Sequence, residues 1–128
     1  MEKEGKLIYE ELTYEILGAL FEVQNQLGFG YQEKHYYKAI KSEFTRRKIK
    51  FTEQFPIVLL YKGETIGRFY IDFLVEEIIP IEIKQGNYFS KKNIEQAYQY
   101  LRANNWKLGL LVNFTKNGVR FRRILNIR

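Results

Sequence analysis

The chain contains no cysteine, which removes disulfides, thiolate metal sites and cysteine nucleophiles together. It has one histidine, His35. With no histidine partner and no nearby nucleophile, His35 builds neither a catalytic triad nor a zinc site and reads as a helix surface residue. Proline occurs twice and glycine nine times, and neither clusters into a linker. No internal repeat or low-complexity segment is present. No stretch approaches the ~18–20 uninterrupted apolar residues of a membrane span. The N-terminal run Met1-Glu2-Lys3-Glu4-Gly5-Lys6 is charged and lacks the apolar core of a secretory signal. A cytoplasmic protein without membrane attachment is the expectation.

What is present suits one compact unit. The 128 residues fit a single domain, 1–128. They are 45% hydrophobic with ten Tyr and ten Phe, so the material for one core is ample. The balance of 21 basic against 15 acidic residues leaves +6 and a pI near 9.4. Such an excess favours a polyanionic partner through Coulomb attraction and counterion release, although many basic proteins bind no nucleic acid.

Periodicity divides the chain into eight elements. Leu12, Ile16, Leu20, Val23 and Leu27 recur at helical spacing over residues 9–27, and Gly28 stops that helix. Gly28-Phe29-Gly30 makes a turn, and a second helix over 32–47 turns Tyr37, Ile40 and Phe44 inward. Strands follow at 55–61, with Pro56 near the start, at 66–75 and at 78–84, the first two joined by Lys62-Gly63-Glu64. Ser90 caps a helix running to 103, with Ile94, Ala97 and Leu101 facing the core. Strands at 106–113 and 118–125 complete the order ααβββαββ. That order predicts an α/β fold, a mixed sheet between helices in three layers.

Two of these strands carry a chemical constellation. Strand alternation puts Tyr70, Asp72 and Leu74 on one face and Ile71, Phe73 and Val75 on the other. In Ile79-Pro80-Ile81-Glu82-Ile83-Lys84, Glu82 and Lys84 project away from the isoleucine face. A hairpin centred near Glu77 stands Asp72 opposite Glu82. Two carboxylates that close repel each other, and a dry sheet surface is a costly place for both. A hard divalent cation, Mg²⁺ or Mn²⁺, removes that cost and is well served by carboxylate oxygens. Such an ion can polarise a phosphodiester. Lys84 can hold or activate the attacking water or offset charge in the transition state. In isolation, Glu-x-Lys in a strand is usually a solvated ion pair. Asp72, disfavoured within a strand and set among Phe69, Tyr70, Ile71, Phe73 and Leu74, makes a simple exposed face a poorer account.

Further residues extend the set. Glu33 shares helical register with Tyr37, Ile40 and Phe44, which places it at the head of an inward stripe. Its plain alternative is favourable placement at a helix N-terminus. Gln96 lies beside Ala97 at the core boundary of the third helix, where it could hold a water or a phosphate. Basic residues gather at Arg46-Arg47-Lys48 with Lys50, at Lys91-Lys92, and at Arg120, Arg122, Arg123 and Arg128. Phosphate contacts from Lys91, Lys92, Arg120 and Arg122 would position a nucleic-acid backbone without reading its sequence. Charged strand edges that discourage aggregation explain the terminal arginines equally well. Trp106 is expected to pack. Gly28 and Gly30 form no phosphate loop, since lysine and strand context are missing.

The run Gly30-Tyr-Gln-Glu33-Lys-His-Tyr36 has the form G-x-x-E-x-x-Y. Together with Ile71-Asp72-Phe73-Leu74-Val75, Ile81-Glu82-Ile83-Lys84, Gln96-Ala-Tyr-Gln-Tyr-Leu101 and Gly109-Leu-Leu-Val-Asn113-Phe114 it resembles the GxxExxY proteins of the PD-(D/E)XK nuclease superfamily. The resemblance runs from about Leu12 to Leu125. It implies a restriction-endonuclease-like core, with Asp72, Glu82 and the Ile83 carbonyl as metal ligands and Lys84 as the catalytic lysine. By the same pattern Glu33 is the extra acidic residue, Gln96 the polar residue on the following helix, and Tyr36 a packing residue. Ile71 stands where the superfamily has proline, a departure that removes no ligand. The expectation is a Mg²⁺- or Mn²⁺-dependent nuclease acting on DNA rather than RNA. The alternative is a non-cleaving nucleic-acid-binding or protein-interaction module on the same fold, and a small-ligand or structural role comes third. A homodimer would suit two-strand cleavage, and a protein partner could supply specificity.

Overall fold

Helix α1 (Glu10–Leu27) buries Thr13, Ile16, Ala19, Leu20 and Val23, positions three or four apart that form one stripe. Gly28 ends it with φ 76°, a conformation that costs glycine little. Helix α2 (Glu33–Arg46) buries Tyr36, Ile40 and Phe44. Helix α3 (Lys91–Asn104) starts at Ser90, whose hydroxyl accepts from the Asn93 N–H at 3.0 Å. A computed structural model describes residues 9–127. The charged residues 1–6 and Arg128 lie outside the described residues, and no described helix is long and apolar enough to cross a membrane.

Five strands, β1 (Phe51–Tyr61), β2 (Glu64–Val75), β3 (Ile79–Gln85), β4 (Leu108–Thr115) and β5 (Gly118–Leu125), form one sheet in the order β1-β2-β3-β4-β5. Only the β3–β4 pair is parallel, and α3 makes its crossover. The sheet is therefore mixed. Helices α1 and α2 cover one face, packing on Phe73, Val75, Ile79, Ile81, Ile83, Leu110, Val112 and Phe114. Helix α3 covers part of the other face through Ala97, Tyr100 and Leu101, which meet Ile57, Ile71, Leu74, Leu111 and Ile124. The result is the three-layer α/β/α arrangement with order ααβββαββ, consistent with a restriction-endonuclease-like fold.

Three local expectations are corrected. β1 begins at Phe51, so Pro56 lies mid-strand. That is tolerated because β1 is an edge strand and one of its sides needs no ladder hydrogen bonds. β4 begins at Leu108; the Trp106 N–H instead closes the end of α3 on the Leu101 carbonyl at 2.9 Å. Third, strict alternation fails in β2. Ile71 packs with Leu74 under α3, while Phe73 and Val75 pack under α1 and α2. The facing strand switches at the same level: Phe51 lies against the α1/α2 cluster, whereas Phe55 and Ile57 lie in the α3 cluster. Gln54, opposite Asp72 in the register that pairs Glu53 with Phe73 and Phe55 with Ile71, has φ 50°. A left-handed residue in a strand resets which side its neighbours face. Asp72 sits at that reset.

Candidate active site

The β2–β3 ladder is short. Phe73 pairs with Ile81, Leu74 with Pro80 and Val75 with Ile79, closing around a turn of Glu76, Glu77 and Ile78. One further step of the register sets Asp72 opposite Glu82, but the ladder stops before it. There the Asp72 side chain takes over: its Oδ2 accepts from the Ile83 N–H at 2.8 Å. A carboxylate thus fills the place of a strand carbonyl where the two strands part.

Glu82 is 8% exposed. Burial, then the Asp72 charge and a hydrogen bond shared with it, push the Glu82 carboxyl well above the usual range; the Lys84 ammonium pulls the other way. Without a cation Glu82 resists ionisation beside Asp72, the expected result for like charges in a dry place. Tyr100 closes the site from α3. It is buried, its hydroxyl has no hydrogen-bond partner among the described residues, and burial with the Glu82 and Asp72 charges drives its ionisation far upward. Lys84, half-buried, follows Glu82 on the same face of β3.

On the α2 side, Asp72 and Ile83 line a cavity of about 400 Å³ with Glu33, Lys34, Tyr37, Lys38 and Gln54. Glu33 is exposed, a correction to its expected place at the head of a buried stripe. It reaches the cavity from the first turn of α2 instead. The approach to this turn is fixed by Tyr36. Its ring stacks on Phe114 at 4.3 Å, and its hydroxyl donates to the Gly28 carbonyl at 2.5 Å and accepts from the Tyr31 N–H at 3.4 Å. Gly30, with φ 113°, lets the chain bend between them. The G-x-x-E-x-x-Y run is thereby a bend, an acid and a clamp. Beside it, the Tyr37 hydroxyl donates to Glu53 at 2.7 Å, and Glu53 pairs with Lys41 at 2.8 Å. Burial, reinforced by Glu53 against an opposing contact from Gln54, pushes Tyr37 up to about 12. Lys41 and Tyr37 hold Glu53 below its usual range.

The remaining residues are placed less closely. Gln96 is half-buried on α3, one turn before Tyr100 on the same side of the helix. Lys91 and Lys92 are exposed in the first turn of α3 and line neither Asp72 nor its cavity. Arg120 and Arg122 are exposed on β5. Register carries them onto the sheet face of the carboxylate pair: Glu82 pairs with Leu111 and Leu111 with Arg122, while Lys84 pairs with Asn113 and Asn113 with Arg120. Asn113 is fully buried, and its Nδ2 donates to the Gly86 and Tyr88 carbonyls at 3.0 and 3.3 Å, tying down the loop after β3. Sequence reasoning gave neither Tyr100 nor Asn113 a role. The available signals were a tyrosine four residues after Gln96 and a lone amide in an otherwise apolar strand.

Among the described residues no three His, Cys, Asp or Glu side chains cluster as a closed metal site. Two carboxylates and the Ile83 carbonyl make an all-oxygen donor set. That set fits a hard divalent cation that keeps several waters, and not a structural zinc.

The family model of the PD-(D/E)XK nuclease superfamily matches residues 10–124. The crystal structure of SSO0001 aligns with a TM-score of 0.53 at 14% identity, covering 94% of this chain and 78% of that one. At that identity it shows the shared fold alone. No curated protein matches in sequence. Nucleases of this superfamily generally use divalent metals, and nucleic acid is the substrate the family implies. With 10–124 matched, the chain belongs to the PD-(D/E)XK nuclease superfamily.

Proposed function

We propose that this chain is a Mg²⁺- or Mn²⁺-dependent nuclease of the GxxExxY kind that hydrolyses phosphodiester bonds in DNA in preference to RNA. The observation that carries the reading is the Asp72–Glu82 pair. These are two carboxyls sharing a hydrogen bond where β2 and β3 separate, with Lys84 on the same face as Glu82. Asp72, Glu82 and the Ile83 carbonyl would hold the cation. Bound there, it supplies Lewis-acid polarisation of the phosphodiester. Lys84 orients the attacking water and offsets charge gathering on the phosphoryl oxygens. Gln96 accepts or donates a hydrogen bond to that water, and Glu33 adds a second acid at the mouth of the Asp72 cavity. The water gives up a proton to solvent as its oxygen forms the new P–O bond, the bond to the leaving sugar oxygen breaks, and that oxygen takes up a proton from solvent. Lys91, Lys92, Arg120 and Arg122 hold flanking phosphates.

Calorimetric titration of Mn²⁺ and Mg²⁺ into wild type, Asp72→Asn and Glu82→Gln tests the centre of the proposal. Binding is expected in wild type and absent from both variants. Lys84→Ala should retain metal binding and lose about 10²–10⁴-fold in metal-dependent cleavage. Metal binding indifferent to both carboxylate substitutions would overturn the reading and favour a non-cleaving module.

A further inference from the structure

A second cavity, of about 590 Å³, opens at the β5 edge of the sheet. Its walls include Asn87, Tyr88 and Phe89 from the loop after β3, and Arg120, Phe121 and Arg122 from β5. That volume lies within the roughly 300–1,000 Å³ of small-ligand sites.

Its chemistry is unusual for an ordinary surface. Tyr88 is 81% exposed, so one large ring stands in water in a cavity that two arginines also line; Phe121, paired with Val112, faces the other side of the sheet. The Tyr88 ring is mounted on a fixed backbone, because the buried Asn113 amide donates to the carbonyls of Gly86 and Tyr88. A ring held in place but left in solvent loses little entropy when a flat partner stacks on it. Arginine forks bind phosphate oxygens in two-pronged fashion. Aromatic faces beside arginines are the recognition chemistry of an unstacked nucleotide. In a duplex the base faces already stack on each other, so this ring would find no partner there.

Position joins this cavity to the carboxylate pair. Arg120 and Arg122 face the same side of the sheet as Lys84 and Glu82, two strands away. Two inter-strand steps span roughly 10 Å, on the order of three stacked nucleotides at ~3.4 Å each.

We propose that the cavity lined by Tyr88, Arg120 and Arg122 is a subsite for an unpaired nucleotide flanking the scissile bond, which makes single-stranded or frayed DNA the preferred substrate. The proposal rests on the nuclease reading for its substrate, and its test is independent of cleavage. In EDTA, fluorescence anisotropy compares a fluorescein-labelled 12-nucleotide single strand with the blunt duplex of the same sequence. Wild type is expected to bind the single strand more tightly. Tyr88→Ala should weaken single-strand binding by about fivefold or more and leave duplex binding essentially unchanged, with Tyr88→Trp restoring it. Arg122→Gln should weaken both and lower the salt dependence by about one phosphate contact. Tyr88 is too exposed for its replacement to unfold the chain, and matched thermal melts check this. Equal affinity for the two forms, no single-strand binding by wild type, or a neutral Tyr88→Ala would overturn the subsite. Cleavage indifferent to Tyr88 would leave the nuclease reading standing without the subsite. Tyr88-dependent binding with no metal-dependent cleavage would do the reverse.

Discussion

The two faces of the sheet are built on different terms. Under α1 and α2, β2 to β4 present Phe73, Val75, Ile79, Ile81, Ile83, Leu110, Val112 and Phe114, an unbroken apolar layer. Under α3, Leu74, Leu111 and Ile124 share their face with Glu82, Lys84 and Asn113. Burial on the first face stabilises the fold, at about 25 cal/mol per Å² of apolar surface. The second holds a carboxylate pair that opposes folding unless a proton or a cation neutralises it. Poorly solvated charge is tolerated on the second face because an independent face secures the sheet. Asp72 lies at the strand reset between the two regimes.

Substitutions that strike one face at a time break or sharpen this contrast. The largest effect is expected on the apolar side. Phe44 is fully buried, with ring centroids 5.7 Å from Phe51 and 5.5 Å from Phe73. Phe44→Ala should cost about 3–5 kcal/mol in urea unfolding; a loss below about 1 kcal/mol would deny that this face dominates stability.

On the other side the sign reverses. Glu82 has a raised pKa in the folded state, so between its ordinary value of 4.5 and the raised value the native protein binds more protons than the unfolded chain. Stability therefore falls as pH rises through that window. Glu82→Gln should match wild type near pH 4.5 and exceed it by pH 8, by about 3 °C or more in metal-free melts. A difference constant with pH would contradict the account.

The smallest effect belongs to neither face but to the turn that sets their register. Glu76 and Glu77 adopt φ 51° and 63°, a region that disfavours side chains with a Cβ. Glu77→Gly should gain about 0.5 kcal/mol after the entropic cost of glycine is subtracted. Destabilisation by that change would show that the glutamate side chain holds the turn.

The legible and illegible parts of this molecule divide along the same physical line. Helical stripes such as Ile16, Leu20 and Val23, and a turn centred at Glu77, are local signals, and the element order and β2–β3 register follow from them. The superfamily was readable from short runs around Asp72, Glu82 and Lys84. The face switch at Asp72 was not, because glutamine has no strong preference for the left-handed conformation that Gln54 adopts. Glu33 looked inward by helical register, yet a residue in the first turn of a helix can project past the core edge. Tyr100 and Asn113 were hidden by apolar neighbours; their polar atoms acquire meaning only when α3 and the loop after β3 come against the sheet. Long-range packing decides such positions, and periodicity carries no information about it.

The bond from the Ile83 amide to Asp72 has one more consequence. An acceptor oxygen is all that amide requires, and a carboxamide offers one as readily as a carboxylate does. Asparagine at position 72 can therefore preserve the architecture while erasing the negative charge. Fold and charge at this position are separable by the exchange of a single oxygen for an amino group, so the carboxylate can be lost in one step without passing through an unfolded intermediate.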